Sequence, residues 1–397
     1  MISTRRSCLV SALARLVGAG AISACALVSA TAADGPIKIG VLQSITGSLA
    51  FIGIPERQAI EIAIDDINAA GGVNGRQLQA VVYDPAGDTG KAVQLAQRLI
   101  SQDKVDVVVG GGSSSGIALA IKPILERAGV FFMSTESAAP IVEPASRSPL
   151  AFSTVFSSNV VARATLKYLQ SRKMAKIGLL ADTSAFGAAG VASFQEVAGD
   201  YGIAVVAVSY DPATTDLSPQ LAQLQGHGVK AYVNWTTSPS GVIFMNNIAA
   251  MKLPEDVVIM QSYGYSNPTL MQQAGAAARG VRISGAKASI AAKLPDSDPQ
   301  KAGLLALDAA MKKKFGSVVS IYASQSYDAM MVTAEGLRKA RGAGGAAIAK
   351  AIEGLGSYEG TQGAYRFSAE DHRGLSDSVP ITFRWGADGF EPLPAGE

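Results

Sequence analysis

The order of apolar runs along this chain constrains its fold more than any other feature. Short β-branched runs alternate with segments whose apolar residues recur every three or four positions, the pattern of strands alternating with helices. Ile37–Leu42 reads as a buried strand, and 57–70 as a helix with Ile60, Ile64 and Ile67 on one face. Gly71-Gly72-Val73-Asn74-Gly75 follows as turn chemistry, since Gly and Asn accept the positive φ a reversal needs. Strands at 78–83, 105–109 and 130–133 then alternate with helices at 92–100 and 117–127. A second set starts near residue 155, with helices at 160–169, 188–198, 217–224 and 242–251 and strands at 176–181, 204–209, 231–234 and 257–260. The chain is mainly helical from 300 to 355 (301–314, 324–339, 346–352) and closes with short strands, the last at 379–385. Such alternation predicts an α/β fold with parallel sheets covered by helices on both faces.

At roughly 150 residues per domain, 397 residues make two domains. No Gly/Ser-rich linker separates the two sets, and the chain runs straight through Phe152-Ser153-Thr154-Val155. Two lobes joined by a strand-like crossover fit that better than two domains on a flexible tether. The 42 glycines exceed the roughly 28 that an average usage of about 7% gives. Many sit at strand ends, where open α/β sheets bind ligands.

The N-terminus reads as an export signal. Arg5-Arg6 precede an apolar stretch at 16–27, then Ser29-Ala30-Thr31-Ala32-Ala33, the basic–apolar–small order of a cleaved secretory peptide. That stretch is well short of the roughly 20 residues that span a bilayer. Residues 1–33 are expected to be removed, leaving a protein released into the periplasm. Ile22-Ser23-Ala24-Cys25 also has the look of a lipobox, so anchoring through Cys25 stays open.

The net charge is +2, and removing the three arginines of residues 1–33 turns it to −1. No clustered basic run exists outside the leader, which argues against nucleic acid as a partner. Both cysteines, Cys8 and Cys25, lie in the leader. A released mature form therefore has no thiol for a disulfide, a nucleophile or a metal site. His227 and His372 are far apart and read as ordinary surface histidines. Neither a cofactor nor a metal is expected.

Gly110-Gly111-Gly112-Ser113-Ser114-Ser115-Gly116 lies between the strand at 105–109 and the helix from Ile117. Unpaired N–H groups and the positive dipole end of a helix attract an anion such as a carboxylate, and serines add hydroxyl donors. Ser113, Ser114 and Ser115 are thus candidate ligand residues, although helix capping is a competing role for serine. The loop lacks Gly-Lys-Ser/Thr, and its glycine spacing misses the dinucleotide pattern. It contains G-x-S-x-G with Ser114 central, so a serine hydrolase is an alternative, with His372 late enough to be its base. Asp371-His372-Arg373-Gly374, however, reads as an exposed polar turn.

The loops Ser134-Thr135-Glu136-Ser137-Ala138, Asp182 to Gly187, Trp235 to Pro239 and Gln261 to Tyr265 also follow strands. They place hydroxyls beside Phe186, Trp235, Tyr263 and Tyr265. Polar anchors facing aromatic walls describe a binding cleft, and no strong acid–base pair or metal cluster accompanies them. A binder is favoured over an enzyme.

The whole mature chain resembles the periplasmic solute-binding proteins of branched-chain amino-acid-type ABC uptake systems. The resemblance rests on Ile37-Lys38-Ile39-Gly40-Val41 with Thr46-Gly47, the run from Ala63 to Gly75, and Tyr83-Asp84. The serine loop, the Asp182…Phe186-Gly187 segment and Tyr327-Asp328-Ala329 add to it. It implies the type I periplasmic binding protein fold, two Rossmann-like lobes joined by three crossovers and closing on a solute. By analogy the first lobe is 34–153 plus 287–362, and the second 154–286 plus 363–397. The implied partners are a small carboxylate or amino acid and an inner-membrane ABC permease, with the protein working as a monomer. A ligand sensor for a membrane receptor is an equally compatible use of the fold.

Carried over by position, Ser115 donates a hydroxyl, and backbone groups near Glu136, Ser137 and Ala138 meet the ligand's polar head. Phe186 matches an aromatic wall residue, and Ile52 replaces another beside Phe51. Two departures matter. Amino-acid binders place a hydroxyl residue where Ala138 stands, and an acid paired with the ligand ammonium where Tyr263 stands. Losing the partner of a desolvated charge costs several kcal/mol. Unless Glu136 substitutes from the opposite lobe, the expected ligand lacks an ammonium: an aromatic or aliphatic carboxylate packed on Phe186, Trp235 and Tyr263.

Overall fold

A computed structural model describes residues 35–376 and 379–394. The export signal, the lipobox and both cysteines lie outside the described residues. Among these, no helix is long and apolar enough to cross a membrane.

The first sheet is built from β1 (Ile37–Leu42), β2 (Leu78–Tyr83), β3 (Val107–Gly110), β4 (Phe131–Ser134) and β5 (Ala151–Ser153). Its order is β2-β1-β3-β4-β5, with every pair parallel. Helices α1 (Ala50–Ala69), α2 (Thr89–Arg98) and α3 (Ser115–Arg127) connect them. β3 and β4 are buried along their whole length, as expected of parallel strands covered on both faces. Asp88 caps α2 by accepting from the Lys91 N–H at 2.7 Å. A π-helical turn at Leu99–Asp103 then closes the segment.

The second sheet, entered through α4 (Ser158–Ser171), contains β6 (Lys176–Asp182), β7 (Ala204–Tyr210), β8 (Ala231–Trp235), β9 (Val258–Gln261) and β10 (Arg282–Gly285), separated by α5 (Ala185–Val197), α6 (Ser218–Gly226), α7 (Ser240–Ala250) and α8 (Pro268–Ala274). Then follow α9 (Lys301–Phe315), α10 (Ile321–Ala340), α11 (Gly344–Glu353), the hairpin β11 (Tyr358–Glu359) and β12 (Ala364–Tyr365), and finally β13 (Ile381–Trp385) and β14 (Phe390–Pro392). The order is β14-β13-β10-β9-β8-β6-β7, parallel up to β10 and antiparallel beyond it.

These two sheets are the two lobes of an α/β fold. Each has a switch point where neighbouring strands send their connections to opposite sides, β1/β3 in the first and β6/β8 in the second. Loops after such strands diverge and leave a crevice for a ligand. Tertiary structure extends two of the expected helices. α1 starts seven residues before the position read from the sequence, despite Pro55. α10 starts at Ile321, capped by Ser320 Oγ, which accepts from the Ala323 N–H.

Candidate functional site

A cavity of about 370 Å³ opens between the strand ends of the two sheets. From the first lobe it is lined by Leu49, Ile52, the serine loop, Thr135, Glu136 and Ser137. From the second come Asp182, Phe186, Ser238 and Tyr263, while α10 adds Tyr322 and Gln325.

The serine loop is held open by backbone geometry. Gly110 and Gly112 have φ of 128° and 69°, and Ser113 follows at 60°, a conformation a residue with a Cβ rarely takes. Three contacts hold Ser113 there: its N–H donates to Gln43 Oε1 at 3.1 Å, Oγ lies 2.8 Å from Glu56 Oε2, and Oγ accepts from the Ser44 N–H. Ser113 is therefore largely a strut. Ser114 is the N-cap residue of α3, yet its side chain makes no capping hydrogen bond, so its hydroxyl stays available to the cavity. Ser115 Oγ accepts from the Ala138 N–H at 3.3 Å, tying the two ligand loops together.

Two carboxyl groups converge behind these loops. Glu136 is nine-tenths buried, lines the cavity and leaves Oε1 without a hydrogen-bond partner. Burial and the neighbouring Glu56 push its pKa well above the carboxylate range, while the Thr135 hydroxyl and Ser114 N–H pull the other way. Glu56, on α1 and fully buried, is raised to about 8 by desolvation. Glu56 was not among the sequence candidates. Its trace in the sequence is an acid on the apolar stripe Ile52, Ala59, Ile60, Ala63 of α1.

The aromatic wall is layered. Phe186 and Tyr263 line the cavity, with ring centroids 5.6 Å apart. Trp235 does not reach it: the indole is 1% exposed and stacks behind Phe186 at 5.5 Å and 12°. A large flat ring backed by α5 is better packed as support than as wall. Phe51 also lies outside the lining, with its ring 6.3 Å from Tyr322, whereas Ile52 faces in. Ala138 is buried below the surface, with its N–H and C=O both engaged. Tyr263 keeps a buried hydroxyl with no hydrogen bond. Burial raises its pKa far above that of a free phenol, so it remains a neutral donor.

The segment expected to be an exposed polar turn is buried. His372 is 3% exposed, stacks on Phe152 at 3.8 Å, and places Nδ1 3.0 Å from the Ser148 and Ala151 carbonyls. It is neither a surface histidine nor part of the cavity lining, so Ser114 has no base from it. His227, by contrast, is exposed. Arg373 is buried under the ligand loop: Nη2 donates to the Ser137 and Ala138 carbonyls at 2.8 and 3.0 Å, Nη1 to Val155 O at 3.1 Å, and Nε to Glu143 at 2.7 Å. Polarity misled the sequence reading because backbone carbonyls can satisfy a buried guanidinium as well as water does. Ser153 Oγ donates to the Glu136 carbonyl at 3.2 Å. The carbonyls of 136, 137 and 138 are thus all occupied.

Two lobes whose switch-point loops share one polar-and-aromatic cavity define a two-lobed solute-binding protein. The sequence pattern of the periplasmic binding protein family matches residues 36–384. The chain belongs to that family. A "Leucine-, isoleucine-, valine-, threonine-, and alanine-binding protein" of Pseudomonas aeruginosa is 30% identical, over 95% of this chain and 96% of its own. An extracellular ligand-binding receptor from Rhodopseudomonas palustris HaA2 superposes with a TM-score of 0.82 at 21% identity, covering 91% of this chain and all of that one. A solute-binding protein of an ABC transporter from Rhodopseudomonas palustris BisB5, in complex with 3,4-dihydroxybenzoic acid, gives 0.73 at 23%, covering 88% and 92%.

Proposed function

We propose that the chain is the extracytoplasmic substrate-binding component of an ABC uptake transporter, capturing a small ammonium-free carboxylate with an aromatic or branched aliphatic body. The carbonyls of Glu136, Ser137 and Ala138 carry this reading, because each already accepts a hydrogen bond and has at most one lone pair left for an ammonium. What the cavity offers instead is donors: the Ser114 and Ser115 hydroxyls, the α3 N-terminus and the unpartnered Tyr263 hydroxyl. The ligand's apolar body packs on Phe186, Ile52 and Leu49. Because it touches both lobes, it binds the closed state more tightly than the open one and shifts the population, and the permease reads the closed form. Closure pivots on crossovers near 153, 286 and 362. Export by the signal at 1–33 puts the protein in the periplasm, where it works as a monomer.

A second reading is an amino acid as ligand. The unpartnered Glu136 Oε1 favours it, as an acceptor for an ammonium, and so does the Pseudomonas aeruginosa relative. Thermal shifts of the purified protein with benzoate-like and short aliphatic carboxylates, set against leucine, isoleucine and valine, separate the two. Stabilisation by the ammonium-free acids alone is expected. Stabilisation by the amino acids alone overturns the carboxylate reading.

A further inference from the structure

Glu136 and Glu56 bring two carboxyl groups into one desolvated corner, where they cannot both ionise without uncompensated repulsion. Their surroundings differ. Glu56 is closed off on both oxygens, Oε2 by Ser113 Oγ at 2.8 Å and Oε1 by Gln325 Nε2 at 3.3 Å. Glu136 lines the cavity, and its Oε1, buried against Gly111, has no partner. Gly111 allows this placement, since a Cβ there would stand 2.6 Å from Glu136 Cγ.

We propose that Glu136 is a specificity-determining residue that meets the solute as a neutral carboxylic acid, donating a hydrogen bond to a solute oxygen. Glu56 is the positioning residue that keeps the proton there. This rests on the carboxylate reading of the site. A bare anionic oxygen at that position would repel an incoming carboxylate, whereas an O–H receives it. Acid-to-carboxylate hydrogen bonds are among the shorter and stronger kinds.

The other charged and titratable groups around the corner leave the proton on this pair. Tyr322 of α10 and Tyr263 of the loop after β9 are buried neutral phenols. Asp182, at the end of β6, accepts from Ser184 and Thr236. Arg373, beneath Ser137 and Ala138, is paired with Glu143. The depth of both glutamates agrees, with each pKa raised by desolvation first.

Two measurements test this. The first follows the δ-carboxyl carbon signals of 13C-glutamate-labelled protein, without ligand, across the pH range. A signal that titrates well above the usual carboxylate range and disappears in Glu136→Gln is expected. A Glu136 signal that titrates within the usual carboxylate range overturns the proposal. The second compares benzoate binding by the parent, Glu136→Gln and Glu136→Ala. The amide keeps a donor and should bind within about threefold of the parent, while the alanine variant weakens about 10- to 100-fold. Equal losses in both variants overturn the donor role while leaving the carboxylate reading intact. Binding of leucine but not benzoate, abolished by Glu136→Gln, overturns both.

Discussion

Arg373 Nη2 donates to the Ser137 carbonyl oxygen at 2.8 Å, so a residue close to the C-terminus fixes a loop of the ligand cavity. The same guanidinium holds the Ala138 and Val155 carbonyls and the Glu143 carboxylate. Replacing it with methionine keeps the bulk but strands the three carbonyls in the interior, while the exposed Glu143 carboxylate turns to water. A loss of about 3 kcal/mol is expected for Arg373→Met, because buried acceptors left without a donor keep their desolvation cost. Arg373→Lys should recover only part of it, since a single ammonium cannot match the planar fork. Urea unfolding measures both. A methionine variant as stable as the parent would show that water replaces the guanidinium.

Asp328 predicts a pH dependence of stability. Fully buried on α10, it accepts from the Thr361 N–H, the Thr361 hydroxyl, the Gln362 N–H and the Tyr365 hydroxyl. Desolvation outweighs those bonds and raises its pKa from 3.8 to about 6. The folded state therefore holds this proton more tightly than the unfolded chain does. Its contribution is fully present below about pH 4 and is lost as the pH rises towards 6. A shift of about two units amounts to roughly 3 kcal/mol. Asp328→Asn removes this titration, so the stability difference between parent and variant should change by that order between about pH 4 and 6. A difference that stays flat across the window rejects the assignment.

Gly190 on α5 makes the layered wall possible. A Cβ there would lie 2.2 Å from Trp235 Cδ1 and 2.3 Å from Nε1. The indole cannot swing away, because Phe186 stacks on one side and Phe194 meets it edge-on at 5.3 Å. Gly190→Ala should therefore cost roughly 1–3 kcal/mol of stability by overpacking. It should also weaken ligand binding, since Trp235 can yield only towards Phe186 and the cavity. A melting curve and a binding titration of one preparation read both effects. Lowered stability with unchanged affinity would mean that Phe186 moves independently of its support.

Most of the fold was legible because burial of parallel strands leaves continuous apolar runs. The buried strand Ile37–Leu42 coincides with its expected bounds, and so does the edge strand Leu78–Tyr83, of which only Leu78 is buried. Less legible were elements whose partners are distant in sequence. β10 pairs with β9 and with β13 from the end of the chain, and its four residues carry no periodicity of their own. In the site, Ser113 to Ser115, Glu136, Ser137, Ile52, Phe186 and Tyr263 come together because all follow strand ends or open helices at the switch points. Phe51, Ala138 and Trp235 fall one layer back. A strand end shows which loop faces the cleft, but not which neighbour in that loop points inward. Tyr322 and Gln325, which line the cavity, and Glu56, buried behind it, were invisible for another reason: they sit on helix faces, where a polar residue in an apolar stripe is the only mark.

Tyr263 allows the sharpest test of ligand class, because its hydroxyl can be removed or replaced by a charge. It is buried at the cavity wall against Phe186, with its hydroxyl unpartnered. Tyr263→Phe deletes one donor and preserves the packing. Binding of a carboxylate such as benzoate should then weaken about 10-fold, as for the loss of one hydrogen bond to a charged group. Tyr263→Glu puts an acid at the same wall. With Glu136 nearby, that second acid should repel benzoate and supply the ammonium acceptor that the occupied carbonyls of 136–138 do not. The glutamate variant is therefore expected to lose benzoate and gain measurable leucine binding, read by isothermal titration against the parent. If Tyr263→Phe binds benzoate as well as the parent, the carboxylate is held by the serine loop alone. If the parent already binds leucine and Tyr263→Glu does not improve it, Glu136 serves as the acid, and the cavity belongs to an amino-acid binder.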